Sequence, residues 1–160
     1  MSTKKDKFSI KDKIFMELAL KLAKARHGLT GINPSVGCVI VKNNKILSIG
    51  QTGFKGAPHA EFNAIKNSHE NLEGSKMYVT LEPCHMFAKA IVDARINFLY
   101  FGANEPKTGA IESIDQFLDR EDINHNLGLS GGHMKNESSE LLRKFFKLKR
   151  TEKASQKKLF

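Results

Sequence analysis

The sequence predicts a layered α/β domain built on a mixed sheet. Three observations predict this fold class. An early segment has apolar residues at helical spacing, two short β-rich segments then flank a pair of asparagines, and strand-like and helix-like segments alternate after them. With 160 residues, 40% of them hydrophobic, the chain is long enough to bury one core and has an ordinary globular composition.

The elements can be followed in order along the chain. Apolar residues recur at helical spacing over Ile14–Arg26, and Gly28 is a natural stop. Asparagine tolerates positive φ, so Asn43 and Asn44 predict a tight hairpin between "VGCVIVK" and "KILSIGQT". The remaining segments are predicted as helices at "HAEFNAIKNSHE", "PCHMFAKAIVDAR" (with proline in its first turn), "IESIDQFLD" and "ESSELLRKFFKLKR", and as strands at "KMYVTL" and "NFLYFGA".

The positive charge of the chain lies at its two ends. The net charge of +9 is concentrated in residues 1–13 and 141–160, and the body between them is nearly neutral. We expect one domain at residues 11–150, with basic tails at residues 1–10 and 151–160 that fray. A basic edge is compatible with phosphate binding, but it is also typical of a solvated tail.

The sequence gives no sign of membrane insertion or export. No apolar segment approaches the roughly 20 residues of a membrane span. The basic start "MSTKKDKFSIKDK" lacks the apolar region of a signal peptide. The two cysteines, Cys38 and Cys84, make no disulfide framework, which suits a reducing cytoplasm.

Two short motifs contain the residue types of a metal site. "PHAEFNA" places His59 and Glu61 at the start of one helix, and "EPCHMF" places Cys84 at the start of another. A neutral imidazole and a thiolate are good zinc ligands, and a helix N-terminus favours the thiolate. A carboxylate two residues from a metal-bound histidine can take a proton from metal-bound water and pass it to a leaving group. Glu61 is therefore the candidate catalytic residue.

This combination of His59-Ala60-Glu61 with a downstream Pro83-Cys84 resembles the zinc deaminases of the cytidine-deaminase-like superfamily. The resemblance covers nearly all of residues 12–150. It implies a three-layer α/β/α fold with a central mixed sheet of about five strands. It also implies a zinc cofactor bound by His59 and Cys84, and a homodimer.

Within that superfamily the resemblance is divided. The front half, "ALKLAKARHGLTGINPSVGCVIVKNNKILSIG" with "GAPHAEFNAI", resembles the deaminase domain of riboflavin biosynthesis, which acts on a ribosylaminopyrimidine. The back half, "AIVDARINFLYFGANEPKTGAIES" with "INH" and "ESSELLRKFFKLKR", resembles the bacterial tRNA adenosine deaminase, which converts the wobble adenosine to inosine. Asn33 matches the Asn-Pro turn of the riboflavin family, where an amide would bind a base edge. It could equally be a plain turn residue.

The chain departs from both families at the metal. Phe87 stands where the tRNA enzyme has a cysteine, and Asp93 stands where the riboflavin enzyme's second cysteine would fall, two further turns along the helix. Phenylalanine offers no lone pair, so we expect weak or substoichiometric zinc, with Phe87 filling the space of the metal and thiolate. His85 is the candidate replacement ligand, although its side chain would point about 100° around the helix from Cys84.

The basic last helix favours RNA as the substrate. Its candidate RNA-binding residues are Lys144, Lys147, Lys149 and Arg150. The leading hypothesis is hydrolytic deamination of the tRNA adenosine-to-inosine type. Two alternatives remain: a ribosylaminopyrimidine deaminase acting on a small nucleotide, and a deaminase-fold binding or partner subunit whose catalysis Phe87 has impaired.

Overall fold

The protein is built on a mixed sheet of five strands, as seen in a computed structural model that describes residues 7–160. The strands lie in the order β2-β1-β3-β4-β5. β1 pairs antiparallel with both β2 and β3, whereas β3, β4 and β5 run parallel. This confirms the predicted fold class. The strands span Gly37–Lys42 (β1), Lys45–Gln51 (β2), Lys76–Leu81 (β3), Phe98–Ala103 (β4) and Gly128–Ser130 (β5).

Helices cover both faces of the sheet and complete the three layers. The helices are α1 (Ile10–Ala25), α2 (Ala60–Asn67), α3 (His85–Asp93) and α4 (Lys135–Lys158). α1 and α4 pack on one face, and α2 and α3 on the other. The backbones come so close that two strand positions require glycine. A Cβ at Gly37 would lie 1.9 Å from a carbonyl oxygen in α1, and one at Gly50 would lie 2.1 Å from a carbonyl oxygen in α2.

α1 begins four residues before the predicted start, because a capping box fixes its first turn. The Ser9 side chain accepts a hydrogen bond from the Asp12 N–H, and the Asp12 carboxylate accepts one from the Ser9 N–H. The same buried carboxylate accepts a hydrogen bond from the Tyr78 hydroxyl on β3. Burial alone would raise the pKa of Asp12, but these hydrogen bonds lower it below the usual aspartate value. α1 is therefore tied to the sheet by one ionised carboxylate.

The hairpin prediction is confirmed, since Asn43 and Asn44 both adopt positive φ, at 51° and 60°. The predicted proline position is wrong: Pro83 precedes the N-cap of α3 and lies outside its first turn. The helix predicted at "IESIDQFLD" is also wrong. That segment forms turns and a short 3₁₀ helix at Phe117–Asp119, because the backbone N–H groups at its start point to a distant carboxylate, described below.

The predicted fraying of residues 151–160 is also wrong, because α4 continues without a break to Lys158. All of residues 151–160 are exposed, and the helix is maintained there by its own hydrogen bonds and by pairs such as Lys149 with Glu152, 2.8 Å apart. The first six residues of the predicted N-terminal tail lie outside the described residues. Among the helices of residues 7–160, none is both long and apolar enough to cross a membrane.

Candidate active site

The two sequence motifs meet in one pocket on the face of the sheet covered by α2 and α3. His59 is the N-cap residue of α2, and Cys84 is the N-cap residue of α3. Both have extended backbone angles, and neither side chain caps its own helix, so both remain available to the pocket. The residues that line this pocket are Asn33, Pro34, Val36, Thr52, His59, Glu61, Leu81, Glu82, Cys84, Glu105 and Thr108.

Glu61 is the most perturbed ionisable group of the pocket. Its side chain lies in the first turn of α2 and is only 4% exposed. Burial raises the pKa of Glu61 to about 7, although a backbone hydrogen bond partly opposes the shift. Burial, together with the charge of Glu61, also raises the pKa of the Cys38 thiol on β1. At neutral pH the Glu61 carboxyl therefore populates both proton states, as a general acid–base requires.

Phe87 lies in the same pocket region, one helical turn beyond Cys84. The side chain is 5% exposed, and its ring stacks on the imidazole of His59 with centroids 4.5 Å apart and planes inclined by 26°. The Phe87 N–H donates to the Cys84 carbonyl at 3.1 Å, within the first turn of α3. Burial lowers the pKa of His59, which favours the neutral imidazole. One face of this imidazole is thus occupied by an aromatic ring.

The comparison with protein families decides the class of this site. A family model described as the cytidine and deoxycytidylate deaminase zinc-binding region matches residues 9–103, which is more than half of the chain and includes both motifs. The chain belongs to this deaminase family. The expectation drawn from the two motifs is thereby confirmed at the level of family and fold.

The relatives of this deaminase-family chain divide between two activities. A diaminohydroxyphosphoribosylamino-pyrimidine deaminase of Buchnera aphidicola is 36% identical over 148 residues, covering 89% of this chain and 98% of that protein. A tRNA-specific adenosine deaminase of Haemophilus influenzae is 39% identical over 160 residues, covering 92% of this chain and 90% of that protein.

A solved structure from a study of A-to-I editing by tRNA:A34 deaminases, at the wobble position of transfer RNA, has the same fold. It is 33% identical with a TM-score of 0.69, covering 80% of this chain and 98% of that chain. Nucleobase deamination is therefore the activity that the named relatives share, while their substrates differ.

The donor set of this deaminase-family chain does not fit the zinc ion that the family implies. Catalytic zinc sites use three protein ligands, and His59 and Cys84 supply two. Within residues 7–160, no three His, Cys, Asp or Glu side chains are grouped so that they could hold a metal ion. The third position belongs to Phe87, whose ring has no lone pair and lies against the imidazole that would bind the metal.

His85 does not replace the missing ligand in this arrangement. Its Nε2 lies 3.0 Å from the Asp115 carboxylate, and its ring packs edge-on against Phe117 with centroids 5.5 Å apart. It is not among the residues that line the pocket. The reason is helical geometry, since residues adjacent in sequence on a helix point in different directions.

Asn33 is brought to the pocket by a loop that it also stabilises. Its side-chain amide donates to the Gly56 carbonyl at 2.8 Å, which joins the loop before β1 to the loop after β2. The Thr30 hydroxyl donates to the Asn33 carbonyl at 2.6 Å. Both interpretations of Asn33 thus remain open, because the residue lines the pocket and also fixes a turn.

Glu82 is a pocket residue that the sequence analysis missed. Its buried carboxylate accepts a hydrogen bond from the Ser113 hydroxyl. It also accepts hydrogen bonds from four backbone N–H groups, those of Glu105 (3.0 Å), Ile111 (3.1 Å), Glu112 (2.6 Å) and Ser113 (2.9 Å). Burial would raise the pKa of Glu82, but these hydrogen bonds lower it.

One ionised carboxylate therefore fixes the loop at residues 104–113, which contributes Glu105 and Thr108 to the pocket. The available sequence signal was the position of Glu82, an acidic residue at the end of a buried strand directly before Pro83-Cys84.

A basic groove lies along α4, the helix that packs with α1 on the other face of the sheet. It is lined by Lys107, Glu140, Arg143, Lys144, Phe146, Lys147 and Arg150. Three of the four predicted RNA-binding residues lie in it. The fourth, Lys149, instead pairs with Glu152 at 2.8 Å and has its ammonium 5.8 Å from the centre of the Phe145 ring. The sequence analysis missed Lys107, whose neighbour in the chain, Thr108, lines the pocket, so one loop contributes a residue to each.

Proposed function

We propose that this chain is a nucleobase deaminase domain of the tRNA adenosine type. The observation that carries the proposal is that one loop, through Lys107 and Thr108, contributes to two features. One feature is a pocket with a buried carboxyl of pKa about 7, and the other is a groove lined by five cationic side chains. A small nucleotide carries a single phosphate and does not need a groove lined by several cations. An RNA needs both, because phosphate contacts position the chain while the pocket receives one base.

In hydrolytic deamination, water adds to the ring carbon that carries the amino group, a C–O bond forms, the C–N bond breaks and ammonia leaves. Glu61 would accept the proton of the water and deliver it to the departing nitrogen, a role supported by its position in the pocket lining. A pKa of about 7 suits both steps near neutral pH, and general acid–base help of this kind is commonly worth 10²–10⁴-fold. Asn33 at the pocket wall would hydrogen-bond the base edge.

The substrate class is tested by RNA binding. A tRNA anticodon hairpin should bind in fluorescence anisotropy with strong salt dependence. Lys144→Ala should reduce the slope of log affinity against log salt by about 0.7, the value for one single-stranded phosphate contact. Lys45→Ala is the matched control, since Lys45 is an exposed lysine on β2, paired with Glu70 and outside the groove. A chain that ignores the hairpin but deaminates a ribosylaminopyrimidine phosphate would establish the small-nucleotide alternative instead.

A second candidate function, that of a non-catalytic RNA-binding partner subunit, is favoured by the Phe87 ring on His59. The two candidates differ in product. Nucleoside mass spectrometry of RNA incubated with the chain separates them: inosine supports the deaminase, whereas hairpin binding without inosine supports the partner subunit.

The family resemblance also supports a homodimer in the cytoplasm as part of this proposal. Light scattering coupled to gel filtration tests the assembly, because a dimer has twice the 17.9 kDa mass of one chain. A monomer at micromolar concentration would remove this part of the proposal without touching the others.

A further inference from the structure

Two loops in contact form a rim beside the pocket, one at residues 28–34 and the other at residues 53–58. The Lys55 N–H donates to the Leu29 carbonyl at 3.2 Å, and the Asn33 amide donates to the Gly56 carbonyl at 2.8 Å. A Cβ at Gly31, which has φ of +60°, would lie 2.8 Å from the Lys55 carbonyl oxygen, so the loops are in direct contact. Because Asn33 also lines the pocket, this rim borders the place where a base would enter.

The rim presents an aromatic ring and a cation to solvent. Phe54 is 62% exposed, and the guanidinium of Arg26 lies over its ring, 4.1 Å from the centroid. Ile32 beside them in the rim is 83% exposed. An exposed aromatic ring with a stacked guanidinium offers planar surfaces to another ring. Nucleic-acid bases stack on such surfaces in proteins that bind single strands.

The cations of the α4 groove continue to α1, the helix whose C-cap residue is Arg26. A shallow depression between α1 and α4 is lined by Lys24, His27, Glu137, Glu140, Leu141 and Lys144. Lys144 also lines the basic groove, so the depression and the groove share this lysine. Two glutamates lie among these cations, so the path is not uniformly positive. It nevertheless offers a phosphate backbone cationic partners from the groove as far as Lys24 on α1.

From these observations we propose that Phe54, with Arg26, is a stacking platform for an unpaired base that flanks the base bound in the pocket. The occupant is a single-stranded RNA, chosen because the exposed ring has a guanidinium stacked on it and lies in a rim whose Asn33 lines the pocket. The inference rests on the proposed RNA substrate. It adds a specificity contact, since a stacked flanking nucleotide would be selected by how well its base covers the platform.

Photo-cross-linking locates the contact directly. Anticodon-loop hairpins carry 5-iodouridine at the position either 5′ or 3′ of the target adenosine, and irradiated complexes are digested with trypsin. One of the two hairpins should cross-link to the tryptic peptide at residues 46–55, at Phe54. Phe54→Leu, which keeps an apolar side chain without a ring, should abolish that cross-link. Cross-links confined to other peptides would overturn the platform.

Affinity measurements give a second, independent readout. Phe54→Ala should weaken hairpin binding about tenfold, in line with the loss of one base–aromatic stack, and by the same factor at low and high salt. Lys144→Ala should instead change the salt slope. Phe54→Tyr keeps the ring and should retain the affinity. Phe62→Ala on α2 is the matched control, because this 42% exposed ring lies outside the rim and its removal should leave binding unchanged.

The possible outcomes separate this inference from the proposed function. If the unaltered chain binds no hairpin, the proposed RNA substrate fails, and the platform fails with it. If the hairpin binds and Phe54→Ala has no effect, only the platform is overturned. If Phe54→Ala changes the oligomeric mass and leaves RNA affinity per chain unaltered, the exposed ring belongs to a contact between two copies of the chain.

Discussion

The ring of Phe87 stacks on the imidazole of His59, with centroids 4.5 Å apart and an interplanar angle of 26°. Because Phe87 lies three residues after Cys84, the first turn of α3 brings this ring against His59, a residue that lines the pocket. The position that would complete a three-ligand metal site therefore provides an aromatic face and no donor atom. The chain therefore lacks, at this position, the third ligand of the zinc site that its family implies.

Phe87→Cys should raise zinc content to close to one ion per chain, while the unaltered chain should contain much less. The thiolate restores a third ligand one helical turn from Cys84 and removes the ring that covers His59. Elemental analysis of the purified proteins measures the stoichiometry. Phe87→Ala is the control, since it removes the ring without adding a ligand and should stay low in zinc. Tight binding of one zinc by the unaltered chain would contradict the prediction.

Glu61→Gln should remove most deamination activity, by about 10²–10⁴-fold, because the amide keeps the shape of the carboxyl but cannot accept a proton from water. The comparison is best made in the Phe87→Cys background, where turnover is expected to be highest, with inosine or deaminated pyrimidine measured by mass spectrometry. Circular dichroism checks that the fold is retained. Equal turnover in the two proteins would show that Glu61 is not the proton carrier.

Glu61 should also make stability depend on pH in the metal-free protein. Its folded pKa of about 7 exceeds its ordinary value of 4.5, so the folded state binds more protons between these values. Its contribution to stability is therefore present below about pH 4.5 and lost as pH rises through 7. As pH rises from 5 to 8, the free energy of unfolding of Glu61→Gln should increase relative to that of the unaltered chain, by on the order of 2 kcal/mol.

Urea unfolding of both proteins in the presence of a chelator measures this difference. Parallel stability curves over that range would mean that the buried carboxyl does not titrate as described.

Glu82→Gln should loosen the loop at residues 104–113 and destabilise the protein by about 1–3 kcal/mol. The amide replaces one acceptor oxygen by an N–H donor. The backbone N–H groups of the loop that bonded to that oxygen then lose their acceptor. Hydrogen exchange of the Glu105, Ile111 and Ser113 amides measures the effect, and their exchange should accelerate. Glu112→Gln is the control, because Glu112 is an exposed carboxylate in the same loop. Unchanged exchange in Glu82→Gln would show that another contact fixes the loop.

The sequence by itself determined those features that depend on local backbone preference and on periodicity. The hairpin at Asn43-Asn44 was predictable because asparagine tolerates the positive φ that the turn requires. Most helices and strands, the mixed sheet and the three layers followed from the alternation of apolar patterns and from the resemblance carried by the two motifs. His59 and Cys84 were placed at helix starts for the same reason, and the structure brings them to one pocket.

Tertiary structure decided the features that arise between residues distant in sequence. "IESIDQFLD" has a helical pattern, but its first backbone N–H groups bind Glu82, about 30 residues away, so the helix does not form. β5 has only three residues and exists because β4 offers a parallel edge. The pKa of Glu61 follows from burial that only packing creates. The sequence showed that a ligand was missing at Phe87, but only the fold showed its ring stacked on His59, because that contact joins two helices.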